Sequence, residues 1–336
     1  MENYSHSGLD EEQPASSLLE RQILAGVLAL VAVLGIVGNT VVIVSVFLSY
    51  KLRTKMNIFV VNLSFSDFLI CLHLVWIIVA FVADDGWPLP DWLCVWCGFI
   101  LITCIGVSVY TLACIAVNRL ILIRYSQATF LFLCRPTIVC FMLVIIWVVP
   151  LCVSVTPLIT DLGELGYSSR YRTCLKNNAH ERAKAYDVML SLVFYPLPTA
   201  IIITCYLKIF VFLRSRVKKV APENIEPTVS SVIQPHQEER PNLRERLDRR
   251  QVKVTKNMFY VVCLFFMCTT PYGLSLLCTH PACLRATTYA AVILSCNSCI
   301  NPFIYATKHP DFKKVIRCIL LCKLKKIPQR VKLPWE

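Results

Sequence analysis

The stretch LCVWCGFILITCIGVSVYTLACIAVNRLILIRY, Leu93 to Tyr125, carries no Asp, Glu, Lys or Arg before Arg119. A helix needs about 20 mostly apolar residues to cross the hydrocarbon core of a bilayer, and Leu93 to Val117 supplies that run. Asn118 and Arg119 then fall where such a helix leaves lipid, yet Leu120 to Ile123 is apolar again. The polar pair therefore sits at an inner end that is still packed against something apolar, and the fold depends on what that is.

Working outward, six further stretches qualify as spans, so that the set reads roughly 23–50, 57–83, 93–117, 136–160, 187–213, 258–279 and 286–307. Hydrophobic residues make up 56% of the chain and charged residues 16%, with a mean hydropathy of +0.61. A soluble domain is nearer half apolar and a quarter charged. These features predict an all-α membrane protein, a seven-transmembrane helix bundle followed by a short amphipathic eighth helix. The net charge of +13 has no folded basic face that would serve nucleic acid. It follows the positive-inside rule instead, with Lys51, Arg53 and Lys55 after span one, Arg124 and Arg135 after span three, and Lys and Arg crowding 214–256 and 308–332. The start is acidic (Glu2, Asp10, Glu11, Glu12), so the N-terminus is expected outside and the C-terminus in the cytosol, in the plasma membrane. With an acidic lead, the first span reads as an uncleaved signal-anchor.

The expected organisation is an extracellular tail over 1–22, a transmembrane domain over 23–307, and an amphipathic helix with cytoplasmic tail over 308–336. Within the domain, 214–253 is a long cytoplasmic loop, polar and proline-containing, whose centre is expected to be disordered. Most of the 18 cysteines lie in spans, where a thiol acts as a small apolar residue. Cys94 and Cys174 stand on the oxidising side and are the expected disulfide, with Cys97 as competitor for the same bond. Cys278 and Cys283 bracket the last outer loop and could close it. His280 between them brings the zinc ligands in sight to three, short of a closed structural site. Asn3, in NYS, is an outer glycosylation acceptor. Asn62, in NLS, lies inside a span and is set aside.

Charge inside a span is costly and usually functional. Asp67 is the one carboxylate deep in any span. Ser108, Asn297, Ser298 and Asn301 lie at similar depth, and Asn39 can join them from span one. One carboxylate with hydroxyl and amide oxygens fits a hard monovalent cation better than a transition metal. Sodium is the ion expected there, as an allosteric modulator rather than a cofactor.

Gly38–Asn39, NLSFSD ending at Asp67, Cys94, Trp147, Pro198 with Tyr206, Pro271, and NPFIY from Asn301 to Tyr305 followed by DFKK occur in one order and register. Together they resemble the rhodopsin-like (class A) G-protein-coupled receptors over essentially the whole chain. The resemblance implies that Arg119 is the arginine that contacts a heterotrimeric G protein, that Tyr206 and Tyr305 support the open state, and that arrestin is a further cytosolic partner. Asn118 stands where most of the family has an acid, Gln251 where a second acid is common, and Thr269 where a tryptophan is usual. Asn118 can offer Arg119 a neutral hydrogen bond but no charge, which leads to an expectation of notable basal activity. Melatonin receptors share the Asn but resemble this chain less around spans six and seven. NRLILIRY is more similar to the orphan insect branch known as moody and trapped-in-endoderm.

The same resemblance places Leu101 and Ile105 where amine receptors carry an Asp, and Ser295 where opsins carry the Schiff-base lysine. The expected ligand pocket is His73, Trp76, Leu101, Ile105, Met189, Tyr195, Tyr272 and Tyr289, with Arg170 and Arg172 able to clamp an anionic head group. Such a lining favours a lipid or a small peptide over an amine. The basic amphipathic segment after span seven should lie on membrane lipids, with Cys318 and Cys322 four residues apart as lipidation sites. A non-coupling or scavenging seven-helix receptor is the alternative. A transporter or channel lacks support, because the halves do not repeat and no paired intramembrane charges occur. No nucleophile, base and orienting group converge as an enzyme would require.

Overall fold

The computed structural model describes residues 17–169, 171–220, 259–275 and 281–331, without the side chains of 216–220 and 281–285. The expectations for Asn3, Arg170, Gln251 and the Cys278–Cys283 bond fall outside the described residues or side chains.

Helix α1 is Leu18–Leu48, α2 Asn57–Val82, α3 Asp91–Arg124, α4 Gln127–Leu133 and α5 Pro136–Ile159. A two-stranded hairpin follows, β1 Tyr167–Ser168 and β2 Thr173–Cys174. Then come α6 Ala183–Phe194 and α7 Pro196–Val220, α8 Phe259–Ser275, α9 Pro281–Lys308 and α10 Pro310–Leu320. Six helical stretches among the described residues are long and apolar enough to span a membrane, and α8 is a shorter apolar one. They form a seven-helix bundle in which α6 and α7 share one span.

Ser17 starts α1 by accepting from the Glu20 N–H, satisfying a donor that the first helical turn leaves unpaired. Helix α3 is the axis of the bundle and does not stop at the polar pair. Asn118, Arg119 and Leu120 are all buried within it, because an apolar core of Leu63, Leu112, Ile146, Tyr206 and Tyr305 closes around them. That is what the apolar residues after Arg119 pack against. Three features depart from the span reading. The fifth span is interrupted at Tyr195, where Pro196 has no N–H to continue the ladder. The short α4 fills the second inner loop, capped by Ser126, which accepts from the Thr129 N–H. Helix α3 runs seven residues past Val117, to Arg124.

Glycine matters where helices approach. A Cβ on Gly38 would come within 2.9 Å of the Pro302 side chain, so this glycine lets α1 lie against the proline of α9. At the same level Asn39 Nδ2 donates to the carbonyls of Gly35 and Ser298, both at 2.9 Å. At the inner face, the chain after α10 folds back on the turn after α1. Tyr50 N donates to Gln329 O and Val331 N to Leu48 O, both at 3.0 Å. Ile327 is buried in that same core, and Lys51 pairs with Asp311 at 3.1 Å.

Candidate functional site

The outer end is built on a disulfide, Cys94–Cys174, while Cys97 is free and buried. The hairpin hung from it pairs Tyr167 with Cys174 and Ser168 with Thr173. Beyond Cys174 the chain descends against α3 so closely that a Cβ on Gly98 would collide with the Leu175 carbonyl. Glycine at 98 is thus a condition for the loop's depth.

Beneath the loop lies a cavity of about 1080 Å3 of empty space, counting its open mouth. Its walls include Leu28, Ile70, Leu74, Ile77, Phe81, Leu101, Ile105, Phe265, Tyr272 and Val292, and its roof includes Tyr171, Thr173, Lys176 and Asn178. Ser108, Asn297 and Ser298 line it as well, so it reaches down toward Asp67. Of the pocket residues expected from sequence, Leu101, Ile105 and Tyr272 line it.

The others do not. His73 is buried, with Nδ1 donating to its own helix at Leu69 O, 2.8 Å. Trp76 packs into the outer core beside the cavity, and Met189 joins the Ile102, Leu165 and Tyr186 cluster behind α3. Tyr195, at the break in the fifth span, meets the Thr270 hydroxyl at 3.0 Å. Tyr289 is half-exposed and donates to Glu20. Arg172, at a φ of 49°, donates to Ala83 O at 2.9 Å and so braces the loop rather than reaching into the cavity. Arg21 donates to the same carbonyl and to Asp84 Oδ1 at 2.7 Å. Burial raises the Tyr167 hydroxyl above its ordinary pKa, against the pull of Arg172 and Arg21.

Sequence reasoning missed the roof. Lys176 is buried and ion-paired with Asp187 of α6, and it lines the cavity with Thr269, Thr287 and Thr288. Thr269 Oγ1 donates back to Phe265 O at 2.9 Å, so the residue in the tryptophan's place offers the cavity a short side chain.

At mid-membrane, Asp67 is fully buried. Asn301 Nδ2 donates to Oδ2 at 2.7 Å, Ser108 Oγ donates to Oδ1 at 3.3 Å, and Ser298 also bonds the carboxylate. Ser66 meets Ser108 at 2.9 Å. Asp67, Ser108, Ser298 and Asn301 are therefore together, with Asn297 lining the cavity nearby. The hydroxyl, carbonyl and carboxylate oxygens suit a hard cation. Asn301 presents its N–H and so positions the carboxylate, while Asn39 reaches the cluster only through the Ser298 carbonyl. Asn62, set aside as a glycosylation acceptor, accepts from Trp147 Nε1 at 2.9 Å and donates to Thr111 Oγ1 at 2.8 Å. It ties α2, α3 and α5 together.

Deeper still, Arg119 Nε, the Tyr206 hydroxyl and the Tyr305 hydroxyl are buried without a hydrogen-bond partner in the protein. Asn118 does not supply the neutral bond expected of it to Arg119 Nε: its Nδ2 donates to Cys114 O at 3.0 Å, and Arg119 Nε does not reach the amide oxygen, the one atom there that could accept from it. The amide has taken the carbonyl one turn back on its own helix, and no ion pair to Arg119 occurs among the described residues. Cys318 and Cys322 do not share a face either. Cys318 is half-buried, with Sγ donating to Lys326 O at 3.6 Å, whereas Cys322 is exposed beyond the end of α10 at a φ of 54°.

Residues 38–305 match the 7 transmembrane receptor (rhodopsin family) profile. The chain belongs to that family, and is a multi-pass membrane receptor rather than an enzyme. It is 28% identical over 303 residues to melatonin receptor type 1B-B of Danio rerio, covering 87% of this chain and 80% of that one. It is 27% identical over 315 residues to melatonin receptor type 1A of Ovis aries, covering 90% and 79%. The crystal structure of squid rhodopsin superposes with a TM-score of 0.73 at 18% identity, over 93% of this chain and 88% of that one, which is a likeness of fold.

Proposed function

We propose that this receptor passes an outer signal to heterotrimeric G proteins from the plasma membrane, N-terminus outside, with appreciable signalling in the absence of agonist. The observation that carries this reading is that α3 lines the cavity with Leu101, Ile105 and Ser108 and holds Arg119, buried and with Nε unpartnered, at its inner end. One rigid element thus reports on both ends. Arginine that lacks a charged partner has less to break on the way to an open inner face, and a difference of about 1.4 kcal/mol changes a two-state ratio tenfold.

The ligand is an apolar small molecule, a lipid or a short peptide with an apolar end, in keeping with walls built mainly from Leu, Ile, Phe and Val. Melatonin, after which the relatives are named, belongs in the same screen. A sodium ion held by Asp67, Ser108 and Ser298 favours the inactive state. Ser108 both faces the cavity and bonds Asp67, so ligand and ion compete for the arrangement of one side chain. Arrestin is a further proposed partner, and Cys322 is the better placed of the two proposed lipidation sites. G-protein turnover by the full-length receptor in nanodiscs, screened against a lipid library and melatonin, tests the reading. Turnover above receptor-free vesicles, raised by a cavity ligand, supports it. No turnover under any ligand supports the scavenging alternative.

A further inference from the structure

Among the described residues lining the cavity, Lys176 is the one with a charged side chain. It follows the disulfide-anchored strand by two residues and is only 7% exposed. Its ammonium is neutralised by Asp187 from α6, which is not among the lining residues. The cation thus faces the ligand space, and its counter-ion stands behind it. Charges are seldom buried unless paired, and a lysine ammonium is a compact, mobile point charge that can exchange one oxyanion for another.

The same roof offers neutral groups that hydrogen-bond without discriminating charge, Tyr171, Thr173 and Asn178, and Tyr272 faces them from α8. Below them the walls are apolar down to Ser108. The space is amphipathic along its length, with one positive group at the mouth and hydrocarbon beneath. Arg172 cannot provide this charge, since it is turned outward to Ala83 O.

We propose that Lys176 is the receptor's head-group contact, and that its ligand is an apolar chain with one anionic end, a carboxylate or phosphate monoester, which takes the place of Asp187 on the ammonium. This rests on the reading of the cavity as the ligand site. The exchange conserves charge at Lys176 and releases Asp187, and with it the outer end of α6, whose span is already broken at Tyr195. The native ion pair is thereby a competitor of the ligand. A competitor that holds the binding-competent form at a small fraction lowers the apparent affinity by that fraction.

The test uses the full-length receptor in neutral phosphatidylcholine nanodiscs, titrated with dodecanoate, dodecyl phosphate, dodecanol and dodecylamine, with binding read from the shift in thermal unfolding. The carboxylate or the phosphate should bind about tenfold or more tighter than the alcohol, and the preferred of the two names the head group. Lys176→Gln should lose that preference. Asp187→Asn, which removes the competitor, should strengthen anion binding by about tenfold. Because either single variant leaves a buried charge unpaired, the double variant Lys176→Gln/Asp187→Asn is the folding control. It should unfold cooperatively and still bind dodecanol, without anion preference. Equal binding of anion and alcohol by the wild type overturns the inference while leaving the cavity as the ligand site. An anion preference that survives in the double variant, or a preference for the amine, overturns it too. If none of the four probes binds, the cavity reading itself falls, and the inference with it.

Discussion

The two ends of the bundle treat their polar groups in opposite ways. At the outer end each of four polar side chains has at least one partner, Arg21 with Asp84, Lys176 with Asp187, Arg172 with Ala83 O and Tyr289 with Glu20, although Arg21 Nε itself has none. At the inner end Arg119 Nε and the hydroxyls of Tyr206 and Tyr305 are buried and have none. A buried polar group left unpaired costs about 1–3 kcal/mol. The outer groups are therefore fixed by specific bonds, whereas the two inner tyrosines are held by packing, Tyr206 on Phe259 and Tyr305 on Phe312. Packing that hides unsatisfied groups is stable only until something offers them partners. The difference teaches where this receptor is built to stay and where it is built to give.

The comparison breaks most visibly at the disulfide. Cys174→Ala should free the hairpin and with it Lys176, for a loss of about 2–5 kcal/mol on the scale of native disulfides in small domains. Surface display and ligand response should fall together. Full response in that variant, with no mass change when the wild type is reduced, would show that the outer end is not held as described.

Next in size is the middle of the bundle, where the two ends communicate. Asp67→Asn should abolish the sodium dependence of agonist affinity, a coupling of about 1–3 kcal/mol. An unchanged sodium response would remove the ion from Asp67.

The smallest effect sharpens the inner side of the contrast. Tyr305→Phe deletes a buried hydroxyl that has no partner in the protein, so thermal stability should rise, by about 1 kcal/mol at the low end of the cost of an unpaired buried group, while agonist-driven turnover falls because the open state loses a bonding group. A large destabilisation would mean that the hydroxyl is bonded after all.

Much of the fold was legible along the chain, because a bilayer demands long uncharged runs and each run declares itself locally. Asp67 and its partners were legible for the same reason: a lone carboxylate in lipid needs donors at its own depth, and Ser108, Ser298 and Asn301 are among the polar residues there. The roof was not. Lys176 and Asp187 meet only because Gly98 admits the Leu175 backbone against α3, a contact between distant segments that no periodicity reports. Aromatic and polar residues at pocket depth misled for a rotational reason. Tyr195 stands at the break where Pro196 resets the helix, and His73 satisfies itself on its own helix, so depth was right and direction was wrong. Cys318 and Cys322 part for a related reason, since the helix ends at Leu320 and their four-residue spacing does not carry past it.

The central claim is that Arg119 has no counter-charge at 118, and Asn118→Asp tests it at matched surface expression by basal G-protein turnover. A partly buried acid beside the arginine should hold it inside the bundle and lower basal turnover several-fold, about tenfold if the new pair contributes 1.4 kcal/mol. Basal turnover that stays the same or rises would contradict the account, for Arg119 would then be restrained by something other than the missing charge.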